Sequence, residues 1–223
     1  MAIISYRYKF IYALAPRTAS TATANYLIKN YDAEQIPNED ILDDSGNIIL
    51  DKKHCTFNDL ISHNILTEYL IQDFLTFVTI RNPYDSLYSG WYKKKFVYEK
   101  LLDDKNSFIY KKEGFIKDMK EMQDLSFSEW LVSRHKKLSE DSIERHLNGK
   151  YLHYADSVIR FENLNGDLQQ LFEDHNIPFL GEVPVINKTE GKKDNFMNYY
   201  TSEAASVVQK AYSLDFSKFA YQC

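Results

Sequence analysis

The chain of 223 residues is 44% hydrophobic and 15% aromatic, which suits one α/β domain with an insertion, or two small domains, and argues against disorder. A net charge of −5 at neutral pH leaves no electrostatic footprint for general nucleic-acid binding, so any basic site must be local. Cys55 and Cys223 are the only cysteines, and neither a disulfide framework nor a cysteine metal site is expected from two. No stretch approaches the ~18 consecutive apolar residues of a membrane span and no export signal is recognisable, so a soluble, cytoplasmic protein is expected.

The first strong element begins at Lys9. Phe10-Ile11-Tyr12-Ala13-Leu14 is an apolar run of strand length. It breaks at Ala15-Pro16 into the hydroxyl-rich loop Arg17-Thr18-Ala19-Ser20-Thr21, and a helix follows with Ala24, Leu27, Ile28 and Tyr31 on one face. A helix start presents unpaired N–H groups and the positive end of its dipole, so this strand-loop-helix unit reads as an anion site. Arg17 adds a charge-assisted contact, and Thr18, Ser20 and Thr21 add hydroxyl donors. The Gly-Lys-[Ser/Thr] ending of a Walker loop is missing, which argues against an ordinary ATP or GTP site.

Residues 32–51 are polar and carry Pro37 and Ser45-Gly46-Asn47, which predicts a loop with a turn, followed by a short strand from Asn47 to Leu50. Thr56 with Asp59 three residues on reads as a helix start, leaving His54 just outside it. There His54 is either a general base, since imidazole titrates near neutral pH, or an ordinary loop histidine. The second strong element runs from Phe74 to Arg81 as a buried parallel strand. Asn82 caps the next helix, Pro83 takes its first position, and Tyr84, Leu87, Tyr88 and Trp91 form its buried face. Arg81 closes the strand and Ser89 lies two turns into the helix, so both lean toward an anion at the carboxyl end of the sheet.

From Lys93 to Lys150, lysines alternate with Phe96, Tyr98, Phe108, Tyr110 and Phe115, and Ser126 to Glu129 forms a capping box. This region is expected to be a helical insertion that covers the site. Its aromatics and cations serve either an acceptor or the packing of the insertion itself. Arg134, His135, Lys136, Lys137, Arg145 and His146 stay equally open, with His146 a second candidate base. Ser157 to Leu164 reads as a third strand ending in a turn, with Glu162 in a buried ion pair or a helix cap, and Leu168, Leu171 and Phe172 mark a short helix. Lys192 and Lys193 sit in a polar loop that is either exposed or turned to a phosphate. The last helix has Ala204, Val207, Val208, Ala211 and Tyr212 inward. No cluster of residues with metal-ligand spacing appears, so no metal is expected.

Pro16-Arg17-Thr18-Ala19-Ser20-Thr21 resembles the donor loop of the sulfotransferases, Pro-Lys-[Thr/Ser]-Gly-[Ser/Thr]-[Ser/Thr], which binds 3′-phosphoadenosine 5′-phosphosulfate (PAPS). Arg17 and Ala19 depart from it. Arg81-Asn82-Pro83 with Asp85 and Ser89 is similar, spacing included, to the family's second donor motif. Arg160 to Leu164 and Asp215 to Tyr221 resemble later family strings. The resemblance implies a single domain over 1–223 with a P-loop-like three-layer α/β fold, a central parallel sheet flanked by helices, and a helical insertion at 93–150. It implies PAPS as sulfuryl donor, 3′,5′-adenosine bisphosphate (PAP) as product, and no metal. Arg17, Thr18, Ala19, Ser20 and Thr21 would hold the 5′-phosphosulfate, Arg17 would also neutralise the leaving oxygen, and Arg81 and Ser89 would hold the 3′-phosphate. The pattern is closest to carbohydrate enzymes related to uronyl 2-O-sulfotransferases, whose base is a histidine placed as His54 is, so the expected partner is a hydroxyl-bearing glycan. A small alcohol, phenol or protein tyrosine as acceptor, and a non-catalytic nucleotide- or glycan-binding protein, remain as alternatives.

Overall fold

The computed structural model describes residues 1–44, 48–53, 55–111, 114–186, 189, 191–192 and 195–221. In chain order the elements are β1 Ala2–Ser5, β2 Phe10–Ala13, α1 Ser20–Asn30, β3 Glu34–Ile36, β4 Ile41–Leu42, β5 Ile48–Leu50, α2 Phe57–Ser62, α3 Glu68–Asp73 and β6 Leu75–Ile80. Then come α4 Pro83–Tyr92, a π-helical turn Lys93–Val97, two 3-10 turns, α5 Phe115–Gln123, α6 Phe127–Glu140 and α7 Gly149–Leu152. The chain closes with β7 Ser157–Arg160, α8 Leu164–Asp174, α9 Ser202–Ala211 and α10 Ser213–Phe219. Two compact units result, one of Met1–Arg81 with Asn148–Asn187 and one of Asn82–Leu147 with Lys188–Cys223.

The first unit is a three-layer α/β structure. Its sheet has the order β3-β1-β2-β6-β7, with β2, β6 and β7 parallel and β1 antiparallel to both β2 and β3. The expected parallel centre is therefore extended on one side by an antiparallel edge. Residues 2–5 and 34–36 supply it, where a loop was expected for the latter. The period-two alternation of a strand sorts β2 between two cores. Phe10 and Tyr12 meet Ala22, Ala24, Tyr26 and Leu27 of α1 and Leu168, Leu171 and Phe172 of α8. Ile11 and Ala13 meet Phe57 and Leu60 of α2, Ile71 of α3 and Tyr151 of α7.

Two readings within this unit are corrected. Ile28 is 41% exposed rather than inward, because α1 buries the side that carries Ala24 and Leu27, and Tyr31 reaches the core only from the helix end, where it is the C-cap. Glu162 is exposed, so it makes no buried ion pair. Arg160 pairs with Asp167, Nε to Oδ2 at 2.9 Å.

The second unit is helical. Tyr84, Tyr88 and Trp91 of α4 pack with Phe127, Trp130 and Leu131 of α6 and with Ala204, Val207, Val208 and Ala211 of α9. The caps follow the sequence: Asn82 accepts from Tyr84 N–H, and Ser126 with Glu129 closes a capping box. Asp215, buried in α10, accepts the Leu147 N–H at 2.7 Å, and its other oxygen lies 3.5 Å from His146 Nδ1.

Burial pushes the Asp215 carboxyl up to about 6, so the folded protein keeps that proton where the unfolded chain has released it. The stability carried by this group is present below the ordinary aspartate range and is lost as pH rises to about 6. Asp215→Asn retains an acceptor for Leu147 without that loss. In urea unfolding, its stability relative to the parent should rise by ~2–3 kcal/mol between pH 4 and pH 6.5; a difference constant across this range would refute the assignment.

Candidate functional site

The loop after β2 has an unusual backbone. Arg17 and Ala19 have φ of 66° and 57°, in the left-handed region, and the intervening Thr18 is fully buried. Left-handed residues spaced in this way turn successive N–H groups toward a common concavity, the kind of backbone that receives anions. Thr18 Oγ1 donates to the Ala15 carbonyl at 2.8 Å. The hydroxyl proton expected to serve an anion is thus committed inside the loop, and the N–H is what Thr18 has to offer. Under the loop, Tyr12 and Thr79 hydroxyls meet at 2.8 Å, and burial pushes the Tyr12 phenol up to about 12.

Helix α1 starts with Ala19 as N-cap and no side-chain cap. By contrast α2, α3, α4, α6 and α9 are each capped by a hydroxyl or amide side chain. The first bonds of α1 run from Ala22 and Thr23 N–H to the Ala19 carbonyl, at 2.8 and 3.1 Å, so the N–H groups of Ser20 and Thr21 precede its hydrogen-bond ladder. A helix that lacks its own cap and begins in a left-handed pair leaves its positive end for a ligand.

Arg81, at the end of β6, is 8% exposed. Its Nη1 donates to the Arg17 carbonyl at 2.8 Å, and its guanidinium carbon lies 4.0 Å from the centroid of the Phe161 ring. The structure thus joins two residues that sequence spacing had proposed separately. Phe161 was missed as a site residue. Its signal was the position directly after β7, since β6 and β7 are parallel neighbours with Ile80 opposite Arg160.

Ser20 and Thr21 also line a cavity of about 310 Å³ together with Leu14, Ala24, Gln35 and Lys53. His54, the proposed base, lies outside the described residues, as does Lys193. The capping box of Thr56 and Asp59 that opens α2 is present.

In the second unit Ser89 is 2% exposed on α4. One turn earlier on that helix, Asp85 forms an ion pair with Lys192, whose ammonium lies 5.9 Å from the Tyr88 ring centroid. Gly191 has φ of 73°, and a Cβ there would come within 2.7 Å of the Tyr92 hydroxyl, so the loop bearing Lys192 follows α4 closely. The cations of the insertion hold helices together. Lys94 and Arg134 both pair with Asp118, Lys95 donates to the Leu125 carbonyl at 2.9 Å, and His135 Nδ1 sits 3.0 Å from the Leu131 carbonyl. His146, the second candidate base, packs against the Phe219 ring at 5.0 Å between centroids beside Asp215, and burial lowers its pKa. That is a packing position.

A left-handed conformation costs a non-glycine residue about 1–2 kcal/mol, partly offset for glycine by the entropy of the unfolded chain. Ala19→Gly should therefore stabilise the protein by ~0.5–1 kcal/mol and raise the midpoint of thermal unfolding by about 1–3 °C. A lowered midpoint would mean that the Ala19 methyl contributes more through packing than its backbone costs.

The chain matches the model described as the Sulfotransferase family over residues 1–222. Neither a curated protein nor a solved structure matches it. A family match that takes in β2, the loop with its bracing arginine, and every element after them makes this chain a member of the sulfotransferase family.

Proposed function

We propose that this sulfotransferase takes the sulfuryl group of PAPS and passes it to a hydroxyl on a carbohydrate, with His54 as general base. The observation that carries the reading is the hydrogen bond from Arg81 to the Arg17 carbonyl. It brings two guanidinium-bearing residues and the uncapped start of α1 to one place. The donor set there is cationic and N–H-rich, which is the chemistry a polyanionic nucleotide needs. Arg17 and the N–H groups of Thr18 to Thr21 receive the 5′-phosphosulfate. Arg81, joined on the strength of the motif spacing by Ser89, receives the 3′-phosphate.

In the reaction the acceptor oxygen forms a bond to sulfur while the bond between sulfur and the bridging phosphate oxygen breaks. The electron pair leaves with PAP. Negative charge grows on that bridging oxygen, where Arg17 and the helix N–H groups stabilise it without needing to reorganise. The hydroxyl proton goes to His54, whose place two residues ahead of the Thr56 cap supports this role. A carbohydrate acceptor is favoured by the motif pattern, with the capped helix α6 present where the pattern has one.

Thermal unfolding with PAP tests the donor site. Ligand at a hundred times its dissociation constant should add ~2.7 kcal/mol, a shift of several degrees for a chain of this size, and Arg81→Ala should abolish it. No shift in the parent would overturn the nucleotide reading. His54→Ala should lower turnover by about 10²- to 10⁴-fold while PAP still binds. A parent that binds PAP yet never consumes PAPS would instead be a binding protein on this fold.

A further inference from the structure

Tyr12 stands in β2 opposite Phe77 of β6, and the two rings pack with centroids 5.0 Å apart. Its hydroxyl meets that of Thr79 at 2.8 Å. Thr79 lies two residues beyond Phe77, on the same face of the sheet and nearer the carboxyl ends of both strands. The phenol oxygen therefore points along β2 toward the loop that follows it. There the side chains of Thr23 and Thr18 stand beside it as hydrogen-bonding neighbours. Tyr12, Thr18, Thr23 and Thr79 are all fully buried.

One proton per hydroxyl limits how these groups are wired. Thr18 Oγ1 donates to the Ala15 carbonyl at 2.8 Å, and Thr23 Oγ1 donates to the Ala19 carbonyl at 3.4 Å. Both have thereby spent their protons, and toward Tyr12 they can only accept. Tyr12 has one proton to give them when Thr79 donates its own to the phenol. The chain of hydroxyls then runs from β6 through β2 to the loop and the first turn of α1, with every proton used. Hydroxyls in an apolar core cost free energy unless paired, and a phenylalanine ring would fill the same space among Phe10, Leu27 and Phe77. What the hydroxyl adds is definition, because a satisfied buried network favours one arrangement of the groups it joins. Those groups include Thr18, which lies between the left-handed Arg17 and Ala19.

We infer, resting on the sulfotransfer reading above, that Tyr12 is a positioning residue for the donor: joined to Thr79, its hydroxyl holds Thr18 and the start of α1 so that their N–H groups already face the 5′-phosphosulfate. Donors fixed in advance need not be ordered by the ligand, which spares binding that cost and leaves them ready for the charge that develops in transfer. Arg81 braces the loop at the Arg17 carbonyl. Tyr12 braces it one residue further on, from within the sheet.

The test is a double-mutant cycle read as the dissociation constant of PAP, measured by calorimetry at a temperature where every variant is folded. Tyr12→Phe and Thr79→Val each remove one hydroxyl and little volume, and each should weaken PAP about three- to tenfold. The double variant should bind no more weakly than the weaker single one, within about twofold, because both changes break the same network. Thr79→Ser, which keeps the hydroxyl, should stay near the parent. Tyr26→Phe is the control for a general loss of stability: it deletes a buried hydroxyl pair of the same core, Tyr26 with Tyr31 at 2.9 Å, and should leave PAP affinity unchanged. Parent affinity in Tyr12→Phe, losses that multiply in the double variant, or an equal loss in Tyr26→Phe would overturn the positioning role while the donor reading stands. A parent that does not bind PAP would overturn the donor reading and this role with it.

Discussion

One hydrogen bond orders the loop that follows β2: the Arg81 guanidinium to the carbonyl of Arg17. A left-handed arginine followed two residues later by a left-handed alanine is a backbone that folding alone disfavours. It persists only where its surroundings hold it. Arg81 supplies the hold from the end of a strand packed beside β2, and Phe161 fixes Arg81 in turn through its ring face. The cation that is expected to meet a phosphate thus also shapes the loop expected to meet the rest of the ligand. Loss of Arg81 removes a charge and releases a conformation, so its effect should exceed that of a charge alone.

The parallel pairing of β2, β6 and β7 explains why these residues converge. Each strand ends at the same edge of the sheet, and Ala15, Arg81 and Phe161 all come within two residues of a strand end. Binding groups on the turns after parallel strands are held by a rigid sheet, while the turns themselves remain free to vary. The antiparallel β1 and β3 extend the sheet on the other flank and give the cavity one of its walls through Gln35.

Much of this was legible before the structure. The uninterrupted apolar runs before Pro16 and Asn82 could only be buried strands, and the Asn82-Pro83 and Ser126-Glu129 patterns place helix starts by local hydrogen bonding alone. What escaped was non-local. The strand at residues 34–36 is short and polar, and it exists because β1 offers it a hydrogen-bonding edge. Phe161 belongs to the site only because β7 pairs with β6. Thr18 has the composition of a donor, but its hydroxyl is satisfied three residues back, an outcome that depends on the backbone turn. His54 remains a reading of chain order.

The chain is net negative, and several of its cations meet carboxylates: within residues 93–150 Lys94 and Arg134 meet Asp118, and beyond them Lys192 meets Asp85. Opposite charges in close pairs neutralise one another at short range and project little field. The contact from Arg81 to Arg17, by contrast, runs through a backbone carbonyl. A carbonyl accepts the guanidinium N–H without cancelling its charge. That hydrogen bond therefore orders the loop without itself neutralising the guanidinium.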